Sequence, residues 1–487
     1  MSGTIPDRLG PLRSRFSGAA GSVSALSLAA AASQVLQVAA SVFLARLYSP
    51  VDFGVFAICS AVAGIASVAV TAQYPVAIPL ADTDEEARVL TWLSVTLSIA
   101  LVVLLTVVWW AVQSFVLPED DPLGLGPSVW LVPILATVLA VWTALRAMQS
   151  RKGEFGLVSV ATVTGTAVQV VAQFLAAALG WLVVGLTAGY TVGRAANAGS
   201  LMRGSVFGPW PGTLALVNAA RRWRRMPTWM LFPALLNVAS ITAVASLIGV
   251  LYGVEIAGYF GLAMSLLAMP AALLGQAVST VLFPQTARLE RENRPVAPVL
   301  ERAVTGLTTM AVPFFGAVLL LGPQIFAVVF GPEWETAGVI SALLVPWLLA
   351  SLVSSAISGF AVVKSQQRVL FVIAIVEAVL RFGSLLVGAA HDSYVLGFAL
   401  YGISGLVISV LAIAWFMHLA GGSIVTWLRR HWIFLTATVM CYGGLFLAGP
   451  HLPSGVWFAL CALVTVVFSG LAVRQALALI NPHATPG

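Results

Sequence analysis

Apolar segments long enough to cross a bilayer follow one another along almost the whole chain, and the short stretches between them carry nearly all of the charge. A helix spans the hydrocarbon core with ~20 apolar residues. Within lipid the backbone must satisfy its own hydrogen bonds, so only helices or a closed barrel can span. Barrel strands alternate in hydrophobicity over ~10 residues, and no such alternation is present. The helical segments lie near 24–45, 54–78, 90–117, 128–147, 156–178, 181–201, 229–252, 258–283, 304–330, 338–362, 369–390, 394–416, 432–449 and 455–479. They predict an all-α polytopic membrane protein of about 14 transmembrane helices.

Composition points the same way. Of the 487 residues 60% are hydrophobic and only 9% charged, against roughly 25% charged in soluble domains. A surface so poor in charge needs lipid as its solvent. The net charge of +6 does not imply a nucleic-acid partner, because the basic residues sit between apolar blocks, as topology signals do. With the N-terminus inside and alternating spans, all but two of the 24 Lys and Arg residues fall in inward-facing segments. These include Arg151 and Lys152, then Arg194, Arg203 and the RRWRR run at 221–225, then Arg288, Arg291 and Arg294. The exceptions are Arg46, at an outer rim, and Arg381, inside a span. Both termini are therefore expected in the cytoplasm, with the chain in the cytoplasmic membrane. Residues 1–23 lack the apolar core of a cleavable signal, so the first span is expected to serve as the insertion signal.

The organisation expected is a segment 1–23, six helices over 24–201, a basic loop over 202–228, six helices over 229–416, two further helices over 417–479 and a tail over 480–487. Apolar residues interleave with the arginines of the loop, so a helix lying on anionic headgroups competes there with a plain positive-inside anchor. The two halves also echo each other. Leu47-Tyr48 precedes Asp52, Gly54 and Phe56; Leu251-Tyr252 precedes Glu255, Gly258 and Phe260. Each copy falls on the outer turn between the first two helices of its half, the arrangement of a parallel repeat.

Ionisable residues within spans are the first functional candidates, because each unpaired charge at mid-membrane costs at least ~2.5 kcal/mol. Glu377 and Arg381 are four residues apart, share one helix face and can pair. Arg381 could bind a phosphate or an acidic sugar and Glu377 could take up a proton; the alternative is a structural pair that fixes packing. Polar stripes are the second signal. Gln34, Gln37 and Ser41 align on the first helix, and Thr162, Thr166, Gln169 and Gln173 on the fifth. Gln276, Ser279 and Thr280 cluster on the eighth, and Ser351, Ser354, Ser355 and Ser358 align on the tenth. A polar stripe must face protein or water. Small residues of this kind also make interhelical hydrogen bonds; the bulkier glutamines favour a hydrated lumen suited to hydroxyl-rich sugars.

Cys59, Cys441 and Cys461 lie in apolar segments and are expected to be small buried hydrophobes. No disulfide or metal spacing is present, no P-loop or HExxH motif occurs, and no cofactor is expected. The acidic PEDD at 118–121 reads as a solvated outer loop. Enzyme action is not expected.

Three stretches resemble the polysaccharide-export branch of the multidrug/oligosaccharidyl-lipid/polysaccharide exporter superfamily. They are LARLYSPVDFGVFAI at 44–58, AGYFGLAMSLLAMPAALLGQAVSTVLFPQTAR at 257–288 and FGPEWETAG at 330–338. The resemblance implies two six-helix lobes around a central cavity, alternating access, and a substrate carried on polyprenyl pyrophosphate. It brings no catalytic motif. Its members often place cations in the cavity; here Arg381 and Arg46 are the candidates. The function expected is a flippase for lipid-linked oligosaccharide. Its partners would be that substrate, membrane lipids, glycosyltransferases and a polysaccharide polymerase. An ion-coupled small-molecule exporter of the same fold would want a buried acid in the first six spans. A membrane glycosyltransferase or polymerase would want acids on a large outer loop.

Overall fold

The structure, a computed structural model, describes residues 10–115, 125–203, 206–448 and, discontinuously, parts of 451–470. The described residues contain helices and no strand. The chain divides into two compact units, Met1–Gly258 and Tyr259–Gly487.

The first unit holds α1 (Gly10–Leu44), α2 (Pro50–Thr71), the short α3 (Tyr74–Ala77), α4 (Asp84–Phe115), α5 (Leu131–Arg151), α6 (Phe155–Ala178), α7 (Leu182–Leu201), α8 (Thr213–Arg222) and α9 (Leu231–Tyr252). Helix α10 (Val254–Arg291) begins in this unit and continues into the second. The second unit then holds α11 (Ala297–Val329), α12 (Glu335–Ile357), the short α13 (Gly359–Val363), α14 (Gln367–Ala390), α15 (Tyr394–Leu419) and α16 (Ile424–Ala448). Ten helical stretches among the described residues are long and apolar enough to cross a membrane. Ten of the expected segments coincide with these stretches, while 181–201, 258–283 and 432–449 fall on α7, α10 and α16, helices outside those ten; the segment 455–479 and the PEDD loop lie wholly or largely outside the described residues.

The sequence motifs are structural joints. Ser49 caps α2: its hydroxyl accepts from the Asp52 backbone N–H at 3.3 Å, and the Asp52 carboxylate accepts from the Ser49 backbone N–H at 2.8 Å. With Pro50 at the first helical position, this is a complete capping box that satisfies the helix end reciprocally. Asp52 is the only buried carboxylate among the described residues, and it is committed to this cap. Tyr48, before the cap, is buried and donates its hydroxyl to the Gln173 carbonyl of α6 at 2.7 Å. Burial, and secondarily the nearby Asp52 carboxylate, push its hydroxyl up to about 12.

In the second unit, Trp334 of the FGPEWETAG stretch is fully buried and packs edge-on against Tyr259 at 5.9 Å. Gly338 of the same stretch meets the Gly322 backbone, which lets α12 cross α11 closely.

The basic loop docks on its own unit. Leu216 and Ala219 of α8 are buried. Arg222 pairs with Asp82 at 2.6 Å and with Glu86 at 3.2 Å, and the Trp223 indole donates to Glu86 at 2.9 Å. The Trp92 indole donates to the Phe207 carbonyl at 2.9 Å. Leu214, Val217 and Arg221 remain exposed.

Cys59 and Cys461 are buried as expected, whereas Cys441 on α16 is exposed. An apolar segment in lipid need not bury every small residue against protein.

Candidate functional site

Most of α14 turns apolar side chains outward: Phe371, Val372, Val376, Val379 and Leu386 are exposed. Its opposite face packs on α15 and carries the two charges. The Arg381 guanidinium contacts the Glu377 carboxylate at 2.6 Å, with side-chain exposures of 13% and 27%. Two aromatic rings complete the environment. The guanidinium carbon lies 4.9 Å from the ring centre of Trp347 on α12 and 5.4 Å from that of Tyr401 on α15. The two rings meet edge-on at 5.1 Å. The Trp347 indole nitrogen is buried with no hydrogen-bond partner. The i, i+4 spacing that predicted the pair thus holds, and the cation–π box around it is a tertiary feature. An ion pair so shielded is held mainly by its own complementarity, since removing one partner strands a buried charge.

The polar stripes occupy several environments. On α6, Gln169 and Gln173 are buried against α7. Gln173 donates to the Leu186 carbonyl at 3.2 Å, and both glutamines sit where a Cβ on Gly189 or Gly193 would collide with them. A glutamine stem over a glycine brings two helices together, so these residues lie in a helix interface and not along an open lumen. Thr162 and Thr166 bond back to their own helix at 2.7 and 3.0 Å. Gln34 and Gln37 are half-buried on α1, which packs on α6. Arg46 is exposed at the turn after α1. The Gln276 side chain lies outside the described set.

The sequence reading missed Arg194. Counted there with the inward loops, it sits inside α7, with a full turn and more of helix still to follow. Its guanidinium carbon lies 4.9 Å from the Tyr190 ring and 5.3 Å from the Trp142 ring on α5. The signal was available: Arg194 falls inside the apolar segment 181–201, four residues after a tyrosine. Each unit therefore holds one arginine between a tryptophan and a tyrosine, and Trp347 and Tyr401 follow Trp142 and Tyr190 by about one repeat length.

In the second unit an open cleft of about 450 Å³ is lined by Glu290, Asn293, Arg294 and Lys364 among others, with Lys364 paired to Glu290. No group of histidines, cysteines and carboxylates able to hold a metal occurs among the described residues.

Comparison with known proteins places this architecture. Residues 43–339 match the model of the family described as "Polysaccharide biosynthesis protein". No curated protein sequence matches the chain. Among solved structures, a lipid II flippase MurJ in an inward closed conformation superposes with a TM-score of 0.69 at 12% identity, covering 93% of this chain and 99% of that one. An inward-facing multidrug-resistance transporter of the MATE family superposes with a TM-score of 0.56 at 14% identity, covering 80% and 94%. The family match spans all of the first unit's repeat motif and reaches α12, and the fold resembles that of these two proteins. The chain belongs to the polysaccharide biosynthesis protein family.

Proposed function

We propose that the chain is a flippase that moves an oligosaccharide linked to polyprenyl pyrophosphate across the cytoplasmic membrane, by alternating access, for polysaccharide biosynthesis. The observation that carries this reading is the family match over residues 43–339. Its support in the fold is the correspondence with a lipid II flippase along nearly the whole of both chains, whereas the multidrug transporter leaves a fifth of this chain uncovered. The exporter alternative needs a titrating acid in the first helices. The buried candidate there, Asp52, is engaged by Ser49 in the α2 cap. Arg381 and Glu377 serve as the substrate-responsive pair of the second unit, and the termini face the cytoplasm.

The test is reconstitution of the purified chain in vesicles with a fluorescent oligosaccharide on polyprenyl pyrophosphate, asymmetrically exposed to a membrane-impermeant glycosidase. The flippase reading expects protein-dependent transfer between leaflets with the glycan unchanged. Transfer of a cationic dye down a proton gradient, with no movement of the lipid-linked glycan, would replace it by the exporter reading. Lengthening of the glycan would replace it by the polymerase reading.

A further inference from the structure

Trp142 has two arginines against it. The guanidinium carbon of Arg146, one turn further along α5, lies 5.3 Å from the ring centre, and that of Arg194 on α7 lies 5.3 Å from the same ring. The two cations are thus no further apart than twice that distance. Each carries a guanidinium cation. Like charges this close repel, and more strongly where water is partly excluded. The indole attracts each of them by only about 0.5–2 kcal/mol. No described carboxylate lies within ion-pair distance of either. Arg381 differs in this respect, since Glu377 already neutralises it.

The hydrogen-bonding capacity is equally unspent. The Arg194 Nε is buried and has no partner, while Arg146 is exposed. An arginine leaves a buried Nε–H unpaired at a cost of ~1–3 kcal/mol or more, which an incoming acceptor would recover. Arg146 lies five residues before the end of α5 and Arg194 seven before the end of α7. At 1.5 Å per residue they are roughly 8 and 10 Å in from those ends, which in the proposed orientation are the cytoplasmic ones. Two guanidinium forks with no counter-charge suit an oxyanion that accepts paired hydrogen bonds.

We infer that Arg146, Arg194 and Trp142 form a binding site for a phosphate-type oxyanion, filled by the pyrophosphate of the lipid carrier as it enters from the cytoplasmic side. The oxyanion chemistry stands on the geometry of the first unit; the identity of the carrier rests on the flippase reading. A phospholipid headgroup offers the same phosphate chemistry, so the test must separate the two sources.

Full-length protein in phosphatidylcholine nanodiscs is loaded with undecaprenyl pyrophosphate, undecaprenol or phosphatidylglycerol, and bound lipid is read by native mass spectrometry. The wild type is expected to hold undecaprenyl pyrophosphate at least tenfold more tightly than the other two. Arg194→Gln and the Arg146→Gln/Arg194→Gln double variant should lose that preference, Arg194→Lys should keep part of it, and Arg221→Gln, in the exposed loop, should keep all of it. A folded double variant that binds undecaprenyl pyrophosphate like the wild type overturns the site while leaving the flippase reading to its own vesicle assay. Equal binding of phosphatidylglycerol overturns the carrier assignment. Where a variant fails to fold, the wild type still decides the question: inorganic pyrophosphate should protect Arg146 from phenylglyoxal, and modification at the unprotected rate overturns the inference.

Discussion

The backbone of Gly258 abuts the carbonyl of Pro50 so closely that even a methyl group at position 258 would overlap that oxygen. The reciprocal contact is present too: a Cβ on Gly54 would overlap the Val254 carbonyl. The start of α10 and the start of α2 therefore touch backbone to backbone, and Gly249 of α9 receives the Ile58 side chain. Gly258→Ala and Gly54→Ala should each force the two turns apart, destabilising the chain by about 1–3 kcal/mol as overpacking does. A thermal melt in detergent checks this, with vesicle transport measured in parallel. An unchanged melting temperature for both variants would show that the turns separate without cost.

The Glu377–Arg381 pair is mostly shielded, so single and double substitutions should behave differently. Arg381→Ala strands Glu377 and is expected to cost up to roughly 3 kcal/mol and to lower transport while the protein still reaches the membrane. Glu377→Gln/Arg381→Gln removes both charges and should be less destabilising than either single change, a non-additivity that a double-mutant cycle measures. Normal transport by well-expressed Arg381→Ala would make the pair scaffold alone.

Tyr48→Phe removes the donor to the Gln173 carbonyl and should cost about 1–2 kcal/mol. The wild-type bond has its own pH signature. The hydroxyl is raised from its ordinary value of 10 to about 12 in the folded chain. Its contribution is therefore complete below pH 10 and disappears as pH rises through about 12. Thermal stability should fall more steeply over that window in the wild type than in Tyr48→Phe, after correction for base hydrolysis of the vesicles.

Glu86 holds both Arg222 and the Trp223 indole against α4. The Arg222 guanidinium is more than half exposed in both of its pairs, which holds each to no more than ~1 kcal/mol, so Glu86→Ala should leave global stability nearly unchanged. It should nonetheless loosen α8 and speed trypsin cleavage after Arg221 and Arg222 in vesicles that expose the cytoplasmic face. Cleavage at the wild-type rate would show that Leu216 and Ala219 alone secure the helix.

Topology has a direct readout. Cysteines placed at Lys152 and Arg291, both exposed, should react with an impermeant maleimide only from the cytoplasmic side. One at Glu333 should react only from outside. Glu333 is the better probe than its neighbour because Trp334 is fully buried. Labelling at 152 in intact cells would reverse the orientation.

What the sequence by itself determined about this protein follows from short-range rules. Runs of apolar residues specify helices because lipid offers the backbone no partner, so the long apolar helices of both units were readable from hydropathy, whereas α8, inside the segment read as a basic loop, was not. The i, i+4 spacing of Glu377 and Arg381 was enough to place them on one face. Ser49, Pro50 and Asp52 form a cap through contacts three residues apart, a local signal. Tertiary structure alone decided what each polar group meets. Gln169 and Gln173 read as lumen-lining, yet the small residues of α7 admit them into a helix interface. Arg194 read as a loop cation, yet it lies against Trp142 of another helix with its Nε buried and unpaired. Hydropathy reports burial from water and is blind to whether a buried face meets lipid, a neighbouring helix or a ligand. Only the packing of distant segments, glycine against carbonyl and guanidinium against indole, draws that distinction.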